Sequence, residues 1–167
     1  MNKIFLILSI LGMSGISCTT KIKKPNMEVK INIIGKLNSN EFKGKNGTFY
    51  SINIDLINNT DATTRFWVLS CSWQDNWIFN GDAIDFYSQG CDKNYPTIIE
   101  IKPRQKLTYN GIIHIKSNKE VGIKLGFVLI KEHDIVKMSD FRSVLINKIK
   151  NQKDIIWGNL NNHSEIH

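Results

Sequence analysis

The residues with the widest chemical scope lie between Phe66 and Gly81, in FWVLSCSWQDNWIFNG, which holds three tryptophans, two phenylalanines and Cys71. Cys71 has three available roles: a nucleophile with His114 or His133 as base, one half of a disulfide, or a buried free thiol. A catalytic thiol needs a lowered pKa and a partner held by the fold, and nothing beside Cys71 in the chain announces one. Trp73, Gln74, Asp75, Asn76 and Trp77, with Tyr87 further on, have the composition of a sugar platform. A pyranose stacks its C–H face on an aromatic ring while amides and carboxylates take its hydroxyls. The same residues also suit a loop stapled to the domain by its aromatic side chains. Asp75, Asp82 and Asp85, with Asn76 and Asn80, offer oxygen ligands of the kind Ca²⁺ takes, but their spacing does not match the EF-hand loop. As a general acid and base they have no recognisable context either.

The four histidines are scattered. His114 alternates with Ile113 and Ile115, which predicts a solvent-facing strand residue; His133 sits in a turn, and His163 and His167 in a polar tail. Zinc-ligand spacing, a glycine-rich phosphate loop, a nucleophile elbow and H-E-x-x-H are all absent from the sequence. The expectation is a non-enzymatic protein with no metal and no cofactor.

The elements that must position these side chains are mostly strands. From Met27 onward apolar residues recur at period two, and turn residues interrupt at short intervals. In EVKINIIGKL, Val29, Ile31 and Ile33 alternate with polar neighbours; in TFYSINIDLIN, Tyr50, Ile52, Ile54 and Leu56 mark a buried face. FWVLSCSW reads as a third strand with Trp67, Leu69, Cys71 and Trp73 on its interior row and Phe66, Val68, Ser70 and Ser72 on the other. AIDFYS, two strands in PTIIEIKPRQKLTYNGIIHIKS, and a further strand within VGIKLGFVLIKEHD follow. The fold class is mainly β: an antiparallel, immunoglobulin-like two-sheet sandwich over residues 28–160. One C-terminal helix over about 139–152 starts at Ser139 as N-cap and places Phe141, Val144, Leu145 and Ile149 on one face. DIIWGNL is a final strand, and 161–167 is a frayed tail.

The N-terminus says where such a domain works. Lys3 is followed by IFLILSIL, too short for the roughly 20 apolar residues that cross a bilayer, and then by the small residues of GMSGISC. Gly15-Ile16-Ser17-Cys18 resembles the bacterial lipoprotein signal, although Gly15 stands where leucine is usual. That resemblance implies cleavage of a signal peptide at 1–17, lipidation of Cys18, and a tether over 18–27. With Cys18 given to lipid in an oxidising compartment, it also implies that Cys71 and Cys91 form a disulfide, closing a loop of about 20 residues worth roughly 3 kcal/mol. Thr19 after the cysteine fits outer-membrane sorting in Gram-negative lipoproteins, with the periplasmic face favoured. The domain is similar in pattern to small immunoglobulin-like lipoproteins of such bacteria.

The net charge of +7 comes from lysines and arginines spread singly between the strands, apart from KIKK at Lys21–Lys24. A dispersed charge of this kind excludes a nucleic-acid stripe. The expected partners are the membrane, through the anchor, and an envelope protein or a polysaccharide. The function expected is a lipid-anchored binding or accessory module acting through protein contacts; a glycan-binding module using Trp73 and Trp77 is the alternative, and a thiol enzyme the third.

Overall fold

Alternation along the chain builds the largest sheet. In the computed structural model, which describes residues 26–42, 44–88, 90–91, 93–116 and 123–158, β1 (Met27–Lys36) and β2 (Thr48–Asn58) pair antiparallel from Met27 against Asn58. The signal segment 1–17, Cys18, most of the tether and the tail 161–167 lie outside the described residues. Tyr50, Ile52, Ile54 and Leu56 are buried as their spacing predicts. The β1–β2 register shifts between Ile33 and Gly35, and just there Ile34 turns outward with 60% of its surface exposed.

After β3 (Thr64–Leu69), β4 (Trp77–Phe79), β5 (Ile84–Tyr87), β6 (Pro96–Ile101) and β7 (Lys106–Ile115), the first sheet is complete in the order β1–β2–β7–β5. β3 pairs with β6, and β8 (Leu125–Val128) lies between β4 and β9 (Ile155–Trp157). All of these pairings are antiparallel. The free edge of β3 meets the chain just past β8: Trp67 N–H donates to the Ile130 carbonyl at 2.8 Å, and Phe66 bridges Lys131. Among the described residues the molecule is therefore mainly antiparallel β with a single α-helix, α1 (Phe141–Lys150).

Two cores follow. The main core lies between the first sheet and the inner residues of β3, β4, β6 and β8, and includes Ile52, Ile54, Phe66, Val68, Trp77, Ile113 and Phe127. The second joins Leu69, Val128 and Ile130 to Phe141 and Leu145 of α1, with Trp67, Val144 and Ile149 packed at its margin. The face predicted for α1 is thus the one that packs. Its start differs: Ser139 lies in a 3₁₀ turn (Met138–Asp140), and Asp140 occupies the N-cap.

The expected third strand is corrected in two ways. It ends at Leu69, before the two serines that flank Cys71, and its row toward the main core is Phe66 and Val68. Trp67 and Leu69 face the helix instead. Both rows of β3 are covered, so alternation along FWVL marks two interiors, and the choice of tryptophan for the inter-sheet row put the strand the wrong way round.

Two polar groups hold this arrangement from inside. Asn58 is fully buried; its Nδ2 donates to the Ala62, Ile101 and Lys102 carbonyls, and its Oδ1 accepts from the Thr60 N–H and hydroxyl. It thereby ties the β2–β3 loop to the end of β6. Lys148 of α1 is 6% exposed and bonds Asp134, at 3.0 Å, and Asp154. Burial works to lower the Lys148 pKa, but the hydrogen bonds to Asp154 and Asp134 outweigh it and raise the value overall. The hydrogen bond from Lys148 in turn holds the Asp154 carboxyl below the usual range, against its partial burial.

Cys71 and Cys91 form a disulfide with Cα atoms 6.2 Å apart. It extends the β3–β6 pairing outward past Leu69 and Pro96, where Ser70 N–H donates to the Tyr95 carbonyl at 2.9 Å. Replacing both cysteines by alanine should lower the unfolding free energy by about 3 kcal/mol, the loop-closure entropy of a 20-residue separation. Urea unfolding of the oxidised wild type and the double variant measures this; coincident transitions would show that the bridge constrains nothing.

Candidate functional site

The segment that carries the sequence's chemistry leaves β3 at Leu69, makes a 3₁₀ turn (Trp73–Asn76) and re-enters the sheet as β4. Asn94 fixes the approach, its side-chain oxygen accepting from the backbone N–H groups of Cys71 and Ser72 at 3.3 Å each. The turn puts Trp73 and Trp77 on the inner side. Trp77 is 5% exposed, with its ring 4.8 Å from that of Phe127 and 5.8 Å from that of Tyr109. Trp73 is half-buried; it stacks on Tyr109 at 4.7 Å and meets the edge of Phe86 at 5.6 Å. It fits there because β7 has a glycine beneath it: a Cβ at Gly111 would lie 3.3 Å from the Trp73 ring.

Asn76 is also interior. Its Nδ2 donates to the Trp67 carbonyl at 3.0 Å and the Val128 carbonyl at 3.3 Å, linking β3 to β8 where the two strands diverge. Gln74 and Asp75 remain on the outer side of the turn. Asp75 is an exposed residue whose inner side is desolvated, which raises its carboxyl pKa; Arg142 of α1 opposes that rise. Tyr87 belongs to a different surface, the outer face of the first sheet, where its ring meets the edges of Phe42 and Phe49.

The six residues grouped as a ligand surface are therefore not one site. Asn76 and Trp77 are core, Trp73 is a packed half-buried ring, Gln74 and Asp75 form a surface turn, and Tyr87 lies across the sheet. The paired rings that a sugar platform requires do not face solvent together, because the turn that carries them closes the main core.

The sequence reading missed a cluster on the outer sheet face. Phe42, from the loop between β1 and β2, stacks on Phe49 at 3.9 Å, and Phe49 stacks on His114 at 4.5 Å. Lys45 caps the group with its ammonium 5.1 Å from the centre of the Tyr87 ring. His114, expected to face solvent, is on the outer face as alternation requires but is only 6% exposed. Its Nε2 lies 2.8 Å from the Asn46 carbonyl, an N–H donor to that oxygen, and its Nδ1 lies 3.3 Å from Asp85, which also pairs with Lys116 at 2.9 Å. Gly47 lets the loop come this close: its φ is +129°, and a Cβ there would fall 2.4 Å from the Ile115 carbonyl oxygen. The signal available in sequence was Phe42, a lone aromatic in the polar segment NSNEFKGKNG. Chemically the cluster is a clamp, because the Phe49 ring covers the imidazole and its nitrogens face groups of the protein itself.

Among the described residues no group of three or more His, Cys, Asp or Glu is placed to hold a metal ion. A groove of about 410 Å³ runs between β4, Lys124 and Trp157, with the Lys124 ammonium lying 5.0 Å above the Trp157 ring. That ring face is taken by the protein's own cation, and the indole packs near Gly126, whose missing Cβ leaves room for it.

No protein-family model matches the chain, and no curated protein matches it. Among solved structures, the crystal structure of a FixG-related protein from Vibrio parahaemolyticus is similar over 83% of this chain and 95% of that one, at 11% identity and a TM-score of 0.37. At that score the likeness is one of β-rich outline, and it transfers no residue and no role.

Proposed function

We propose that the protein is a lipid-anchored binding or accessory module of the cell envelope, without catalytic activity, that acts through contacts with other proteins. The observation that carries this is the cysteine pairing. Cys71 and Cys91 are joined, which fits an oxidising compartment and leaves Cys18, in Gly15-Ile16-Ser17-Cys18, as the remaining thiol of the three. The bond also withdraws Cys71 from nucleophilic chemistry. Thr19 favours the outer membrane, and the lack of an acidic run directly after Cys18 favours a domain facing the periplasm. The finer description of the fold that we adopt is an immunoglobulin-like sandwich, in which β6, β3, β4, the β8 segment and β9 act together as the second sheet. Its support is the continuity of hydrogen bonding from β3 to Ile130 and Lys131.

Growth in labelled palmitate tests the anchor. The wild-type chain should take up label and fractionate with membranes, and Cys18→Ser should lose both properties. A wild-type chain that remains unlabelled sinks the proposal. Cross-linking of the labelled protein in its native envelope then separates protein contacts, the expected result, from co-isolated polysaccharide, which would favour the glycan-binding alternative.

A further inference from the structure

The acids near α1 are turned inward. Between Val136 and Lys153 the chain carries five cations, Lys137, Arg142, Lys148, Lys150 and Lys153, against the single carboxylate of Asp140. Asp134 and Asp154, the acids flanking that stretch, are both committed to Lys148 in the interior. Asp140 is half-buried, with its carboxylate accepting from the Lys137 N–H and the Ser139 hydroxyl. Of the other carboxylates in reach, Asp75 interacts with Arg142, and Glu132, upstream of Val136, pairs with Arg65 at 2.9 Å. The outer surface is consequently cationic, with Lys137, Arg142, Lys150 and Lys153 all exposed. Among the described residues, Lys137, Lys150 and Lys153 form no ion pair.

The same surface is also apolar. Val136 is 90% exposed, Met138 60% and Ile146 63%, which makes three of the five large hydrophobic residues left outside among the described residues. Arg142, Ile146 and Lys150 recur at spacing four, so the helix presents them as one stripe, opposite the side that packs on Leu69 and Val128. One bare aliphatic side chain, Ile146, between two cations on the helix, with Val136 and Met138 exposed just before it, is a composition that suits lipid head groups: the charges meet phosphates, and the aliphatic tips enter the acyl boundary.

We propose that the outer face of α1, with its lead-in at Val136–Met138, docks on an anionic lipid surface. This rests on the lipid-anchored reading for the membrane it meets in the cell. In that setting the anchor supplies proximity, and the helix face sets how the domain lies on the bilayer.

Vesicle partition of the full-length chain carrying Cys18→Ser tests the docking with no acyl group present. Binding to phosphatidylcholine vesicles should be weak, and it should rise as phosphatidylglycerol is added. A basic side chain at such a surface is worth about fivefold in partition, so Lys137→Gln with Lys150→Gln should bind roughly 30-fold more weakly. Lys36→Gln with Lys102→Gln, an equal loss of charge elsewhere on the surface, should bind as the parent does. Ile146→Ser should weaken binding without changing the thermal midpoint, which separates docking from folding. Any contribution of the apolar segment Ile4–Leu11 and of Lys21–Lys24 is common to every variant, so the comparison of the two lysine pairs isolates the helix face. Indifference to phosphatidylglycerol, or equal losses for the two lysine pairs, overturns the proposal. So does a dimer in sedimentation velocity that the Lys137/Lys150 variant abolishes, since the face would then be an interface between copies. Palmitate uptake at Cys18 is read separately, so the anchor and the docking face can each fail alone.

Discussion

Lys148→Ala is expected to destabilise the protein by about 3–5 kcal/mol, because it leaves the carboxylates of Asp134 and Asp154 facing one another without their shared cation. The magnitude follows from burial. The Lys148 side chain is 7% exposed and the two acids are 21% and 26% exposed, so solvent takes over only part of the lost interaction. A variant that removes all three charges together, Lys148→Met with Asp134→Asn and Asp154→Asn, should recover most of the loss, since a neutral set of similar volume leaves no charge unpaired. The pH dependence has a definite sign. The Asp154 pKa is depressed in the folded state, so its contribution is present above the unfolded carboxylate value and disappears as pH falls through the folded one. The Lys148 pKa is raised, so its contribution is present below the unfolded lysine value and disappears as pH rises through the folded one. The triad therefore stabilises across the neutral range and fails at both extremes. Urea unfolding from pH 3 to 7 should show the wild type losing stability in acid more steeply than the neutral triple variant. A Lys148→Ala cost below about 1 kcal/mol would mean that the acids re-solvate freely.

Phe66→Ala should cost about 3–5 kcal/mol, whereas Trp67→Phe should cost only about 1 kcal/mol. Phe66 is fully buried in the main core, with its ring 5.2 Å from that of Phe127, and its removal leaves a cavity between the sheets that rigid neighbours cannot fill. Trp67 faces the second core, and its indole N–H donates to the Glu132 carbonyl at 3.1 Å near the surface. Phenylalanine keeps the ring contact and gives up that hydrogen bond. If the strand instead faced the way its tryptophan suggests, Trp67 would fill the main core and Phe66 the margin of the second, and the order of the two costs would reverse. Chemical denaturation of the two variants decides between the orientations.

The parts of the fold that the sequence shows clearly are those with one covered face. β2 reads correctly because its outer residues, Ser51 and Asn53, are polar where its inner ones are aliphatic. The packing stripe of α1 reads correctly for the same reason. β3 does not, since both of its rows are apolar and period two cannot say which interior each one meets. The pairing of Cys71 with Cys91 was legible from compartment and count, and the geometry allows it. The ligand surface was misread at Asn76 and Trp77 because a polar residue type predicts exposure only while no carbonyl needs its amide. Two carbonyls, those of Trp67 and Val128, need the amide of Asn76. His114 was misjudged through an event far away in sequence, the folding of the Phe42 loop over the outer sheet face.

The double coverage of β3 also bears on how the molecule comes apart. Phe66 and Val68 belong to the main core and Leu69 to the second, while β8 gives Phe127 to the first and Val128 to the second. Neither strand can separate from its neighbours without opening both interiors, so α1 is not a flap that swings away from a finished set of sheets. The two cores are expected to melt as one cooperative unit, with sub-global opening confined to elements outside that shared pair of strands. A bilayer or a partner pressing on the helix would accordingly be felt across the entire domain, as a change in its global unfolding free energy.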